Sequence, residues 1–244
     1  MQACVLGIAA LVAPACGLAS TGTGEDVQEA GVPSADGAVA PHDAASDASG
    51  MMDAGTLLTL TSAMPGAKVD LTALGPGGWA HWGRNKATDV NLGHDNPTAL
   101  MLMEGLTVDG GTPTPVQFGD NQTAFSWSNG VPTASESGTT TGIYAKGAHP
   151  VWRLTLMADT SVHEAVVFLG GYKSHAALTV TLGTGATQRT VTDLQSNATG
   201  HYYLLYTIDY QANAANTPLV VSWEMLVADD TGNGNVTLSA VALK

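Results

Sequence analysis

Two tryptophans three residues apart, Trp79 and Trp82, bracket His81, and Arg84 follows closely. Indole faces stack on the apolar C–H faces of sugars, and imidazole and guanidinium groups bond the hydroxyls. On an extended chain successive side chains alternate, so Trp79 and His81 share one face and Trp82 takes the other. One ring can then be buried while its neighbour stays exposed. The segment reads either as a binding platform or as an aromatic cap on the end of a sandwich. A second candidate is Gly171-Tyr172-Lys173-Ser174-His175, where Tyr172, Lys173 and His175 gather on a connection between two strong strands. Binding residues concentrate on such connections, although an ordinary hairpin turn has the same composition. A third is the run Asp229 to Asn235, in which Asp229, Asp230, Asn233 and Asn235 offer side-chain oxygens at the short spacing of a Ca²⁺ loop. Thr231 and Ala240 stand where an EF-hand needs ligands, so a plain hairpin turn is the competing reading. Beyond Ca²⁺ no cofactor is implied.

Catalytic patterns are missing. The sequence has no G-x-S-x-G elbow, P-loop, C-x-x-C or G-x-G-x-x-G. Three histidines lie near acids (His81, His94 beside Asp95, and His163 beside Glu164), but none pairs with another at the spacing that holds zinc on a helix. Glycoside cleavage needs two carboxylates, one of them in an apolar pocket. Glu164 and Glu224 have apolar neighbours, yet alternation turns both away from the apolar face. These residues point to a non-catalytic binding module for a glycan or similar polar polymer. An adhesive protein-interaction module and a polysaccharide hydrolase are the alternatives.

Charge narrows the partners further. Eight Lys and Arg stand against 21 Asp and Glu, for a net charge of −13. So few scattered cations cannot neutralise a polyanionic backbone, which excludes nucleic acid. After the first 20 residues no apolar run is long enough to span a bilayer as a helix. Residues 17–55 are Ala, Gly, Ser, Thr and Asp with seven acids and no base. Such a chain buries too little apolar area to offset its conformational entropy and reads as a disordered linker.

From residue 56 to 244 the pattern becomes short runs of period 2. Trp152, Leu154 and Leu156 share a face, as do Leu178, Val180 and Leu182, and Tyr202, Leu204, Tyr206, Ile208 and Tyr210. Val221, Trp223 and Met225 follow, then Val236, Leu238, Ala240 and Ala242. Leu57-Leu58-Thr59-Leu60 and Val69-Asp70-Leu71-Thr72 open the domain, and Thr98 to Glu104, with Met101 and Met103, reads as strand or short helix. Gly170-Gly171, Gly183-Thr184-Gly185 and Gly232-Asn233-Gly234 punctuate as turns. Trp127, Trp152 and Trp223 belong to the core. About ten strands without a convincing amphipathic helix predict an all-β fold: a two-sheet antiparallel β-sandwich of jelly-roll type.

Several blocks carry a resemblance: Gly78-Trp79-Ala80-His81-Trp82-Gly83, Phe125-Ser126-Trp127-Ser128-Asn129-Gly130, Thr139-Thr140-Thr141-Gly142-Ile143-Tyr144 and Phe168-Leu169-Gly170-Gly171-Tyr172. Together they look like a β-sandwich module of large bacterial surface and secreted proteins, and the strand pattern is similar to galactose-binding-like jelly rolls. The resemblance implies a neighbourhood of glycan-active or adhesive domains and transfers no catalytic residue. The N-terminus resembles a lipoprotein signal: Val5 to Ala15 is apolar, small residues precede Cys16, and acylation of Cys16 is the implied anchor. That gives residues 1–16 as signal, 17–55 as linker and 56–244 as sandwich, on a protein carried at the outer membrane surface or secreted.

Overall fold

The computed structural model describes residues 55–93, 104–109 and 114–244. The expectations for the signal, Cys16, most of the linker, His94 with Asp95 and the Met101–Met103 segment lie outside these residues, although a strand does begin at Glu104.

In chain order the strands are β1 (Leu57–Ala63), β2 (Lys68–Asp70), β3 (Gly78–Trp82), β4 (Val90–Gly93), β5 (Glu104–Asp109), β6 (Val116–Phe118), β7 (Ala124–Trp127) and β8 (Gly130–Val131). They continue with β9 (Glu136–Thr139), β10 (Gly142–Ala145), β11 (Val151–Ala158), β12 (His163–Leu182), β13 (Arg189–Gln211), β14 (Thr217–Ala228) and β15 (Asn235–Leu243). A one-turn helix, α1 (Leu71–Leu74), follows β2. The fold is an all-β sandwich, as the period-2 pattern requires.

The strand β12 organises the sandwich. Along its whole length it pairs with β13. On its other side the first half, Ala165 to Tyr172, pairs with β15, and the second half, Ser174 to Leu182, pairs with β14. Its first half therefore lies in a layer β1-β13-β12-β15-β3-β4-β8, with β10 and β6 attached to β15. Its second half lies in a layer β13-β12-β14-β11-β5. Gly170-Gly171, expected as a turn, is interior to this strand. The chain passes from one layer to the other just beyond it, where register shifts between Tyr172 and Ser174 and Lys173 takes φ 43°. Opposite this corner β13 carries extra residues, and Asn197 organises them by accepting from the Thr199 and Gly200 amides at 3.0 Å each.

Inserting one residue reverses which face later side chains take. Ala165, Val167 and Leu169 point inward before the corner, and Ala176, Leu178, Val180 and Leu182 after it. A second irregularity, at Ser239 on β15, does the same: Val236 and Leu238 face the main core, then Val241 and Leu243. Ala240 and Ala242, expected inward with Val236, instead join a second cluster on the outer face of the layer.

That outer cluster exists because a small sheet, β2-β7-β9, packs there. Its β2–β7 pair is parallel, the one departure from the antiparallel expectation among the described strands. The run Val69 to Thr72, expected as strand, splits: Asp70 accepts from the Thr72 amide at 2.9 Å and the Ala73 amide at 3.2 Å, capping α1. Leu71 of this turn, Phe125 and Trp127 then cover Val166, Phe168, Ala240, Ala242 and Trp79.

Candidate functional site

All five tryptophans are buried, none more than 5% exposed. Trp79 and Trp82 do face opposite ways, as alternation requires, with Trp79 in the outer cluster and Trp82 in the main core. The expectation that one ring stays exposed is corrected: the small sheet covers one side of β3 and the sandwich interior the other. His81 is fully buried, its ring centroid 5.3 Å from that of Phe125 and 5.2 Å from that of Trp127. Its Nε2–H donates to the Thr141 carbonyl at 3.1 Å, and its Nδ1 is buried without a partner. Burial pushes its pKa down to about 4, so the ring is neutral at pH 7. Arg84 is engaged, its Nε donating to Glu136 Oε2 at 2.8 Å. The Trp79–Arg84 segment is thus a structural hub, and its residues do not converge on open space.

Trp152 and Trp223 act from behind the layer. The Trp152 indole N–H donates to the Val236 carbonyl at 3.1 Å, and that of Trp223 to the Gly170 carbonyl at 2.9 Å. These buried bonds tie the far layer to β15 and β12, the two strands that form the floor of the candidate site.

The site lies on the outer face beside the part the small sheet covers. Directly paired residues share a face, so register defines its rows. One row runs Tyr203, Gly170, Thr237, Tyr144 across β13, β12, β15 and β10. The next runs His201, Tyr172, Asn235, with Lys146 just past β10 at its end. Gly170 gives the middle of the first row no side chain. Any Cβ there would run into the Tyr202 backbone carbonyl and come within 2.9 Å of Thr237 Oγ1. What remains is a concavity of about 310 Å³ walled by Phe118, Tyr144, Tyr172, His201 and Tyr203.

Three of the walls, Tyr172, His201 and Tyr203, hold one another in place. Tyr172 and His201 have ring centroids 4.5 Å apart, and His201 stacks on Tyr203 at 5.7 Å and 10°. Tyr203 donates to the Asp120 carbonyl at 3.2 Å, and the Asp120 carboxylate lies 3.9 Å from His201 Nε2. At the opposite end Lys146 donates to the Gly232 carbonyl at 3.2 Å. Below the corner, buried Ser174 donates to the Asn235 carbonyl at 2.7 Å and bonds the Tyr202 hydroxyl at 2.9 Å. Tyr202 is pushed up to about 12, chiefly by burial, and stays a neutral phenol.

The three sequence candidates fare differently. Tyr172 lines the concavity, whereas Lys173 stands beside it, its ammonium 5.2 Å from the Tyr172 ring centroid. His175 turns instead to Asp229, 3.2 Å away. The connection that was to carry these three is the strand corner itself rather than a loop. The Asp229 to Asn235 run is a turn but not the expected hairpin: β14 and β15 do not pair with each other, and both run antiparallel to β12, one after the other along it. Asp230 accepts from the Gly232 and Asn233 amides at 3.0 and 3.2 Å and from Asn233 Nδ2 at 3.1 Å, and Lys173 lies 3.5 Å away. Hydrogen bonds from Asn233 and Gly232 hold the Asp230 carboxyl below its ordinary range. Asp229 and Asp230 so face different partners. Asn233 and Asn235 line the concavity.

Histidines elsewhere pair singly with carboxylates: His163 with Asp159 at 2.8 Å and His149 with Glu224 at 3.8 Å. Among the described residues no three metal-ligating side chains cluster.

Tyr144, His201, Tyr203, Phe118, Asp120 and Lys146 were not singled out by the sequence. One signal was present: the alternation that turns Tyr202 and Tyr206 inward turns His201 and Tyr203 outward. The partners they meet depend on register between distant strands.

No protein-family model matches the chain, and comparison with curated proteins gives no match. Among solved structures it is similar to the enzymatically active domain of bacteriophage CBA120 tailspike protein 4. The identity there is 10% and the TM-score 0.39, covering 57% of this chain and 19% of that one. It is also similar to TmCBM61 in complex with β-1,4-galactotriose, at 10% identity and TM-score 0.36, covering 58% of this chain and 88% of that one. The chain thus spans about a fifth of the tailspike structure it matches.

Proposed function

We propose that the sandwich is a non-catalytic module that binds a glycan, or a similar polar polymer, in the concavity on its outer face. The observation that carries this reading is a groove walled by phenol, phenyl and imidazole rings, of which Tyr172, His201 and Tyr203 pack ring against ring in series. Pyranose rings present apolar faces to such walls and hydroxyls to the surrounding Asn, Lys and Asp groups. Rings already fixed by their neighbours lose little freedom when a ligand arrives. The groove holds one carboxylate among the described residues, Asp120, whereas glycoside cleavage works with a pair.

Titration calorimetry against a panel of soluble polysaccharides tests the proposal. A bound polymer should lose about tenfold or more in affinity with Tyr172→Ala, in line with the loss of an aromatic anchor. No binding by any polymer, or binding indifferent to Tyr172→Ala and Tyr203→Ala, contradicts it. We further propose that acylated Cys16 anchors this module at a membrane surface, with residues 17–55 as spacer. Palmitate labelling of the full chain should be abolished by Cys16→Ser, and label retained in that variant overturns the anchor.

A further inference from the structure

Resting on the glycan reading, we infer that the groove selects a polymer bearing carboxylate or comparable anionic substituents, received at its Lys146 end. The two ends of the groove differ in charge balance. At one end the Asp120 carboxylate faces His201 at 3.9 Å. At the other, Lys146 lines the wall with an exposed side chain and donates to a neutral acceptor, the Gly232 carbonyl at 3.2 Å. Among the described residues no carboxylate lies within ion-pair distance of its ammonium group. Arg84, Lys86, Lys173 and Lys244, by contrast, each have one.

The neighbouring acids are already engaged. Asp230 accepts from the Gly232 amide and from the backbone and side-chain N–H groups of Asn233, with the Lys173 ammonium at 3.5 Å. Asp229 is turned to His175 at 3.2 Å. The Lys173 ammonium thus stands over Tyr172 while Lys146 lines the far wall of the same groove, and the one carboxylate that reaches either, Asp230, already accepts from four donors. Lys146 has donor capacity left beyond its one carbonyl. A ring stacked on Tyr172 and Tyr144 that carries a carboxylate would meet Lys146 through a charge-assisted hydrogen bond, the stronger kind. The chain's net charge of −13 disfavours polyanions at long range, so selection by this end must be short-ranged.

The test pairs each of several polyuronates, namely polygalacturonate, alginate and hyaluronan, with its carboxyl-reduced form. Reduction keeps linkage and backbone and replaces the carboxylate with a neutral alcohol. Affinity is measured on the folded protein at about 0.01 M and about 1 M sodium chloride, where the screening length falls from about 30 Å to about 3 Å. The expected result is that at least one acidic form binds about tenfold more tightly than its reduced partner. Lys146→Met should erase that preference by weakening the acidic form more than its reduced partner, and the preference should survive high salt in part, as a direct contact does. Equal binding of both forms, or a preference indifferent to Lys146→Met, overturns the inference and leaves the glycan reading standing. Binding of neither form of any polymer, together with no binding to the neutral panel, overturns both.

Discussion

The outer face of the layer built on β12, β13 and β15 has two halves that use aromatic residues in opposite ways. In the covered half, Phe125, Trp127 and Trp79 pack against Phe168, with Phe125 and Phe168 edge-on at 5.1 Å and Trp79 and Trp127 at 5.3 Å. In the open half, Tyr144, Tyr172 and Tyr203 wall a concavity that Gly171 also lines, and Gly170 is paired directly with Tyr203. Residue type follows the difference. Indole and phenyl rings fill the dry half, whereas three phenols and an imidazole stand in the open one beside the phenyl of Phe118. Two glycines in sequence, Gly170 and Gly171, allow the change. A Cβ at Gly171 would strike the Tyr202 hydroxyl, so the backbone there lies close against its neighbours. Aromatic enrichment alone does not mark a site; what covers the rings decides.

The contrast can be broken most severely in the covered half. Phe125→Ala should lower stability by about 3–5 kcal/mol, the usual cost of emptying a buried aromatic site, as measured by chemical denaturation. The next effect also belongs to that half. His81 is buried neutral with a pKa of about 4, below the ordinary value of 6.5. The unfolded chain binds this proton more readily than the folded one, so the neutral ring's contribution is intact above about pH 6.5. It is lost as pH falls towards about 4, by about 3 kcal/mol in all. A denaturation series between those pH values should show this slope, and His81→Phe should remove it. In the open half, Tyr144→Ala should cost about tenfold in polymer affinity and less than about 1 kcal/mol in stability, since the ring is only partly buried. Smallest is Asp70→Ala, which removes the cap of α1 beside the covered half. A loss of about 1 kcal/mol with binding unchanged is expected from calorimetry on the same samples.

Much of this was legible in the sequence, and the failures share a cause. Alternation identified the inward faces of β11, β14 and the second half of β12, because each is a regular strand with one dry side. It placed Trp152 and Trp223 in the core for the same reason. It misjudged Trp79 and His81 because the rings that bury them, Phe125 and Trp127, belong to a strand remote in sequence from β3. It misplaced Ala240 and Ala242 because a single irregular residue, Ser239, inverts the faces after it. Gly170-Gly171 read as a turn because glycine pairs usually are turns; here they thin the middle of a 20-residue strand. Of the candidate site, Tyr172 was found from its local composition. Its partners Tyr144, His201 and Tyr203 come together only through the pairing of β10, β12, β13 and β15, which no local pattern encodes.

The account rests on the open half as the binding face. Its most direct test is titration of a polysaccharide that binds the intact protein into the double variant Tyr172→Ala and Tyr203→Ala. Thermal denaturation and far-ultraviolet dichroism would show that the variant remains folded. Affinity should fall by about a hundredfold, the product of two anchors of about tenfold each when they act independently. A folded double variant that binds as tightly as the intact protein would contradict the account and move the site off this face.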